Sequence, residues 1–163
     1  GPEMRSTGEV MGWDDDFGMA FLKSQMGVGV QLPDSGTVFV SLRDGDKKAI
    51  VPAIRKLINF GFSVLATSGT AAFLEGEGLK VTRINKVLEG QPHIVDAMIN
   101  GNVQLVFNTT EGAASLADSA SIRRTAVNRK IPYFTTLASS MASVQAIESM
   151  KDREISVRAL QSA

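Results

Sequence analysis

The chain has 163 residues, 17 acidic and 17 basic side chains, one histidine and no cysteine. This length supports one hydrophobic core with a small appendage, and the missing cysteine excludes a disulfide framework, a cysteine-ligated zinc and thiol catalysis. Since nucleic-acid binding needs a surplus of basic residues, the zero net charge argues against a nucleic-acid partner.

Location and processing can also be predicted. No apolar run approaches the roughly 20 residues of a membrane span and no secretory signal is visible, so we expect a cytoplasmic protein without a membrane partner. Residues 1–2, Gly-Pro, are typical of a cleaved tag and are excluded from the prediction. The single histidine, His93, excludes a two-histidine metal site, and we expect it to have a structural role in the first turn of a helix.

Residues 3–36 do not resemble the start of an independent domain. A loop-like stretch leads to three aspartates at 14–16, which can cap a short helix through Gln25. We expect its apolar face, which carries Phe17, Ala20, Phe21 and Ser24, to pack on the domain that follows. The alternative is that this segment belongs to an upstream domain. The Gly, Pro and Ser residues of 27–36 indicate a boundary, so the main domain is predicted at 37–163.

From Thr37 onward, strand patterns alternate with helix patterns, which predicts an α/β fold with a parallel sheet covered on both faces. Strands are predicted at 37–42, 62–66, 80–84, 103–107 and 132–134, with a further short strand at 155–160. Helices are predicted from about 48, from 70 to 76 or 78, from 92 to 100, at 119–129 and at 140–150.

The helix after the first strand is predicted to begin near Lys48, because Pro52 is tolerated best in a first turn. Lys47 and Lys48 would then lie where the helix dipole disfavours cations. This conflict suggests that an anion binds there, although two solvated lysines would also explain it.

The turn after the second strand is rich in hydrogen-bond donors. Thr67, Ser68 and Thr70 offer hydroxyl groups, Gly69 lets a ligand approach the backbone, and the helix that follows has unpaired N–H groups. The turn therefore suits a phosphate or a carboxylate. The alternative is an ordinary helix cap, which Ser and Thr also favour.

Further polar residues follow other strands: Lys47 after the first, Lys86 after the third, and Asn108, Thr109 and Thr110 after the fourth. The carboxyl ends of parallel strands share one crevice, where ligands of open α/β sheets bind. We therefore expect these groups to converge with the 67–70 turn on a small anion. They include no carboxylate pair suited to acid–base catalysis, and no metal site is expected.

Seven ordered motifs resemble a known family. They are SLRDGDK (41–47), ATSGT (66–70), NKV (85–87), GQPHI (90–94), NTT (108–110), IRR (122–124) and YFTT (133–136). Together they resemble the C-terminal allosteric domain of the carbamoyl phosphate synthetase large subunit, a methylglyoxal-synthase-like domain. Residues 4–12 resemble the last segment of the ATP-grasp synthetase domain that precedes it, so the resemblance implies that residues 3–36 are the helical tail of that domain and a linker.

This resemblance implies a three-layer α/β/α fold with a five-stranded parallel sheet and a pocket for nucleotide monophosphates, with UMP as inhibitor and IMP as weak activator. It places phosphate and ribose contacts at Lys47, Thr67, Thr70, Lys86, Asn108, Thr109 and Thr110, beside Ser41, Ser68 and Gly69. Thr135 matches a contact to ornithine, the activator. The chain departs from the family at Ser68, where a histidine is common, and at Phe134, where an aspartate can stand.

The resemblance also implies a larger parent protein. That parent would be an ATP-dependent ligase that hydrolyses glutamine, uses ATP with Mg or Mn, and serves pyrimidine and arginine biosynthesis. Its synthetase domains and a glutaminase small subunit would be partners. Whether the chain also forms a homo-oligomer is left undecided by the resemblance. This chain would hold no cofactor, have no catalytic residues and not be an enzyme by itself.

Four alternatives remain. A methylglyoxal synthase would be a lyase on the same fold, but the stretch after Lys86 lacks its Gly-Gly-Asp. An IMP cyclohydrolase domain opens similarly, but its later motifs are missing. A domain that senses N-acetylglutamate would have replaced the phosphate lysine that remains here as Lys86. A purely structural docking module would bind no ligand.

Overall fold

The computed structural model describes residues 15–110 and 113–162. Its centre is a five-stranded sheet in which every paired neighbour is parallel, with the order β3-β2-β1-β4-β5. The strands are β1 (Thr37–Ser41), β2 (Ser63–Ala66), β3 (Thr82–Arg83), β4 (Leu105–Asn108) and β5 (Tyr133–Phe134). This arrangement confirms the predicted parallel α/β sheet.

Six α-helices accompany the strands within the described residues. They are α1 (Asp15–Gln25), α2 (Asp44–Asn59), α3 (Ser68–Gly76), α4 (Ile94–Ile99), α5 (Ala113–Arg129) and α6 (Leu137–Ser162), with a short 3-10 helix at Val87–Glu89. Each β-to-β connection carries a helix, as parallel pairing requires.

The central strand β1 divides the core into two clusters. Val38 and Val40 are fully buried against α2, α3 and α6, whereas Phe39, also fully buried, lies with Met98 and Ile122 under α4 and α5. Because successive side chains of a strand point to opposite faces, this alternation places helices on both sides of the sheet. The result is the expected three-layer architecture.

Helix α1 packs on the domain that follows, through contacts with α6. Leu22 is fully buried in the larger core cluster, and Met19, Phe21 and Met26 pack against it. The predicted apolar face is therefore wrong in part, because Ala20 and Ser24 are exposed. The side chain of Phe17 lies outside the described residues, and the division at residue 36 into two domains stays a prediction.

Helix α2 begins at Asp44, four residues before the predicted start, and carries Pro52 in its interior. Because proline has no N–H, the carbonyl of Lys48, four residues earlier, has no partner within the helix. Both residues lie on the exposed face of the helix. Water can satisfy that carbonyl, so the proline is tolerated. Asp44 and Asp46 in the first turn also offset the positive end of the helix dipole. A cation at Lys47 is therefore no longer unfavourable there.

Other predicted boundaries also need correction. Helix α3 begins two residues earlier than predicted, α5 begins six residues earlier, and α4 begins two residues after Pro92. The predicted strand at 155–160 is wrong, because these residues continue α6 to Ser162. Residues 152–162 are exposed along their whole length, so no neighbouring strand is available to pair with them.

Strand register brings the predicted polar loops to one edge of the sheet. Val40 is paired with Ala66 on one side and with Phe107 on the other, and Ser41 is paired with Asn108. Beyond the last paired residue, Thr109 N–H donates to the Ser41 carbonyl at 2.9 Å. The segments that follow β1, β2 and β4 therefore leave the sheet side by side.

Candidate functional site

A cavity of about 340 Å³ lies at the carboxyl edge of the sheet; we call it the strand-end cavity. Its lining comes from the segments after β1, β2, β3 and β4. The lining residues are Leu42, Arg43, Asp44, Gly45, Lys47, Thr67, Gly69, Thr70, Lys86 and Thr110. Four segments distant in sequence thus share one cavity, at the place where open parallel sheets bind ligands.

The start of α2 contributes Lys47 to this cavity. The Lys47 side chain is 13% exposed, and its Nζ atom lies 2.7 Å from Oδ1 of Asp44, which is 96% exposed. The hydrogen bond from Lys47, assisted by its charge, holds the pKa of the Asp44 carboxyl below its usual value of 3.8. Asp44 is therefore ionised near neutral pH and competes with a ligand anion for the Lys47 ammonium.

The start of α3 contributes uncapped backbone N–H groups. Thr67 is the N-cap residue, but its hydroxyl makes no capping hydrogen bond and instead lies 3.1 Å from Ser41 Oγ. The first intrahelical bond runs from Ala71 N–H to the Thr67 carbonyl at 2.7 Å. The N–H groups before Ala71 have no partner within the helix, and the helix dipole favours an anion beside them. This geometry favours an anion site over an ordinary cap.

Thr70 joins the first turn of α3 to β1. The N–H of Leu42 donates to Thr70 Oγ1 at 3.0 Å, and both groups are buried. Because Thr70 Oγ1 accepts this bond, its own proton remains available to a ligand in the cavity.

Gly69 keeps the turn open. A β-carbon added at this position would lie 3.4 Å from Lys47 Nζ, in van der Waals contact with it. The lysine of α2 therefore approaches the backbone of α3 where a side chain would take up space beside it. The two lining elements are adjacent, so one anion can contact both.

Lys86 enters the cavity from the β3 side, as the residue before the 3-10 helix. Its N–H donates to Glu89 Oε1 at 2.8 Å, and no ion pair of its ammonium occurs among residues 15–110 and 113–162. The buried carboxylate of Asp118 on α5 accepts from Leu88 N–H at 3.3 Å and so restrains the same loop. Sequence reasoning missed Asp118, since nothing near it marks a contact 30 residues away.

Six of the ten predicted effector-binding residues line the cavity: Lys47, Thr67, Gly69, Thr70, Lys86 and Thr110. The other four lie beside it. Ser41 contacts Thr67, and Ser68 is exposed at the start of α3. Thr109 Oγ1 accepts from Arg43 N–H at 3.2 Å, and the Asn108 amide turns towards α5 and β5. Ser41, Thr109 and Asn108 each bond to a lining residue instead of lining the cavity themselves.

Arg43, Asp44 and Gly45 line the cavity without having been predicted to do so. Asp44 is the first residue of α2, and the side chain of the N-cap residue before it, Arg43, makes no capping hydrogen bond. A signal was present, since the run from Arg43 to Lys47 follows a strand at the same edge as the 67–70 turn. Arg43 also bonds through Nε to buried Asp46 at 3.0 Å.

The other predicted positions lie outside the strand-end cavity. His93 is the N-cap of α4, where its Nδ1 accepts from Asp96 N–H at 3.4 Å. Thr135 is exposed at the end of β5 and lines a different cavity. Within the described part of the chain, no cluster of three His, Cys, Asp or Glu side chains could hold a metal ion, and no helix is long and apolar enough to cross a membrane.

Comparison with known proteins identifies the family. The model of the MGS-like domain family matches residues 49–135. Carbamoyl phosphate synthase large chains of Mesorhizobium japonicum and Rhizobium meliloti are 57% and 56% identical to this chain over 161 and 162 residues, which is 99% of its length. The chain spans 14% of the length of these relatives.

A solved structure supports the fold. The methylglyoxal synthase of Elizabethkingia anophelis NUHP1 superposes with a TM-score of 0.55 at 19% identity, covering 69% of this chain and 79% of that one. At this identity the likeness concerns the fold alone. The sheet, the strand-end cavity and the sequence matches lead to one conclusion: the chain belongs to the MGS-like domain family.

Proposed function

We propose that this chain is the effector-binding domain of a carbamoyl phosphate synthase large chain and that its strand-end cavity binds a nucleoside monophosphate, with UMP and IMP as the candidate ligands. The observation that carries the proposal is the convergence of Lys47, Lys86 and the uncapped start of α3 on one cavity. The names of the relatives support the assignment to the large chain.

The donors of the cavity suit a phosphate group. Lys47 and Lys86 offer charge, the first turn of α3 offers N–H groups, and Thr70 offers a hydroxyl proton. Charge-assisted hydrogen bonds contribute roughly 1.5–3 kcal/mol each, so a few of them give micromolar affinity after ordering costs are subtracted. A volume of about 340 Å³ accommodates more than a phosphate and leaves room for a sugar.

Regulation would follow from differential binding. A ligand in the cavity can shift the packing of this domain against the rest of the parent chain only if it binds the two arrangements with different affinity. A coupling free energy of about 1–3 kcal/mol is typical of such systems. The isolated chain would bind the effector without a catalytic role, and the contact of Thr135 with ornithine stays a prediction.

Calorimetric titration tests the proposal directly. We expect UMP and IMP to bind the chain, uridine to bind at least tenfold more weakly because it lacks the phosphate, and N-acetylglutamate not to bind. Binding of N-acetylglutamate alone would assign the cavity to a different effector class. Formation of methylglyoxal from dihydroxyacetone phosphate would identify a lyase, and absence of all binding would leave a structural docking module.

A further inference from the structure

Asn108, at the end of β4, is buried and fully hydrogen-bonded through its side chain. Its Nδ2 donates to Ser119 Oγ at 3.0 Å and to Tyr133 Oη at 3.2 Å, and its Oδ1 accepts from Thr110 Oγ1 at 2.8 Å. These three bonds hold the amide at both ends, and in this orientation its oxygen accepts from Thr110.

This orientation determines what Thr110 offers to the strand-end cavity. The Thr110 hydroxyl gives its proton to Asn108, so its oxygen faces a ligand as an acceptor. Thr70 has the opposite polarity, since its oxygen accepts from Leu42 and its proton is free. Thr70 therefore suits a phosphate oxygen, whereas Thr110 suits a hydroxyl group of the ligand.

The two threonines reach the cavity from strands on opposite sides of β1. Thr70 follows β2 and Thr110 follows β4, and β1 lies between these strands. Two strand spacings amount to roughly 10 Å at the backbone. A ligand that reaches both threonines therefore extends beyond its phosphate, and free phosphate at the start of α3 does not need Thr110.

Tyr133, one of the two residues that hold the Asn108 amide, does not line the strand-end cavity. It lies on β5 and lines a separate cavity of about 420 Å³, the β5 cavity, which also includes Thr135. The guanidinium of Arg123 lies 5.5 Å from the centroid of the Tyr133 ring and stabilises its position by a cation–π contact.

We propose that Tyr133 is a positioning residue for the strand-end cavity: its hydroxyl orients the Asn108 amide, which fixes Thr110 as an acceptor for a hydroxyl group of the phosphate-bearing ligand. This inference rests on the proposed function and extends it. It connects the two cavities through a chain of hydrogen bonds from Tyr133 to Asn108 to Thr110. A change at the β5 cavity therefore alters ligand affinity at the strand-end cavity.

The test compares two probes on hydroxyl-deleted variants. In Tyr133→Phe we expect UMP affinity, measured by calorimetry, to fall about three- to tenfold, because one neutral hydrogen bond of the network is lost. Inorganic phosphate, measured by phosphorus NMR, should bind as in the unaltered chain. Thr125→Val is the matched control, since it removes a hydroxyl of α5 that bonds only to the Ser121 carbonyl and lines neither cavity, and it should change neither affinity.

A thermodynamic cycle and a spectroscopic signal distinguish positioning from a general structural effect. In a Thr110→Val background, Tyr133→Phe should lower the UMP affinity no further, because Tyr133 acts through Thr110. The Asn108 side-chain amide resonances should shift when UMP is added and should not shift with phosphate. Ser119→Ala removes the other acceptor of the amide, so it gives an independent measurement if Tyr133→Phe is unstable.

Four results would overturn the inference. Equal losses for UMP and phosphate would indicate general disruption, and an undiminished effect of Tyr133→Phe in the Thr110→Val background would exclude action through Thr110. Equal affinity of the unaltered chain for UMP and phosphate would refute the hydroxyl contact while the phosphate site stands. Binding of neither probe would instead refute the proposed function together with the inference.

Discussion

The Nζ atom of Lys47 lies 3.4 Å from the point that a β-carbon on Gly69 would occupy. A β-carbon there would be in van der Waals contact with the ammonium, so the ammonium of α2 lies beside the first turn of α3. This contact joins the segments after β1 and β2 into one wall of the strand-end cavity. It also identifies Gly69 as a position where a single methyl group should affect binding.

We expect Gly69→Ala to weaken UMP binding about tenfold, because the methyl group takes up space beside Lys47 and covers backbone N–H groups. The free energy of unfolding should not fall, because alanine has a higher helix propensity than glycine. The matched control is Gly45→Ala, the same substitution in the same cavity, where an added β-carbon meets nothing within 4 Å. Equal UMP affinity of both variants in calorimetry would contradict the close approach.

Asp44 should weaken anion binding, since its carboxylate pairs with Lys47 at 2.7 Å. We predict that Asp44→Asn raises UMP affinity about two- to fivefold, a modest gain because Asp44 is exposed and screened by solvent. The gain should shrink at high salt. A titration in which the asparagine variant binds UMP more weakly would show that Asp44 contacts the ligand directly.

The pH dependence of the Lys47–Asp44 pair has a definite sign. Lys47 lowers the pKa of the Asp44 carboxyl in the folded chain, so the stabilisation by the pair is present above the usual value of 3.8 and is lost as the pH falls below it. The affinity difference between the unaltered chain and Asp44→Asn should therefore stay constant between about pH 7.5 and pH 9, where the ligand phosphate, with a second pKa of about 6, is also fully ionised. A difference that changed across this window would assign the effect to another group.

Leu22 tests whether α1 is part of the folded domain. Its side chain is fully buried in the larger core cluster, so Leu22→Ala should lower the free energy of unfolding in urea by about 2–4 kcal/mol. Val28→Ala, at a side chain that is 95% exposed, should change it by less than about 0.5 kcal/mol. A Leu22→Ala chain as stable as the Val28→Ala chain would mean that α1 does not pack on α6.

The sheet and the position of the cavity could be predicted because they follow from local patterns. Buried strands alternate with amphipathic helices, and parallel pairing brings all carboxyl ends to one edge. For that reason the sequence pattern assigns Lys47, the turn at Thr67 and Lys86 to a common site, and they line the same cavity.

Other features depend on contacts that a linear pattern does not carry. The amide of Asn108 turns away from the cavity because its partners, Ser119 and Tyr133, lie 11 and 25 residues further along the chain. The start of α2 was misplaced because the tolerance of Pro52 depends on which helix face is exposed. Residues 155–160 alternate like a strand, but a strand needs a neighbour at the sheet edge, and α6 continues instead.

The central claim is that the strand-end cavity binds a nucleotide through its phosphate, and UMP titration of Lys86→Ala beside Lys80→Ala tests it most directly. Lys80 is an exposed lysine just before β3 that does not line the cavity, so it controls for lost charge. We predict that Lys86→Ala lowers UMP affinity about 10- to 100-fold and that Lys80→Ala leaves it unchanged. Equal UMP affinity of the Lys86→Ala and unaltered chains would contradict the account.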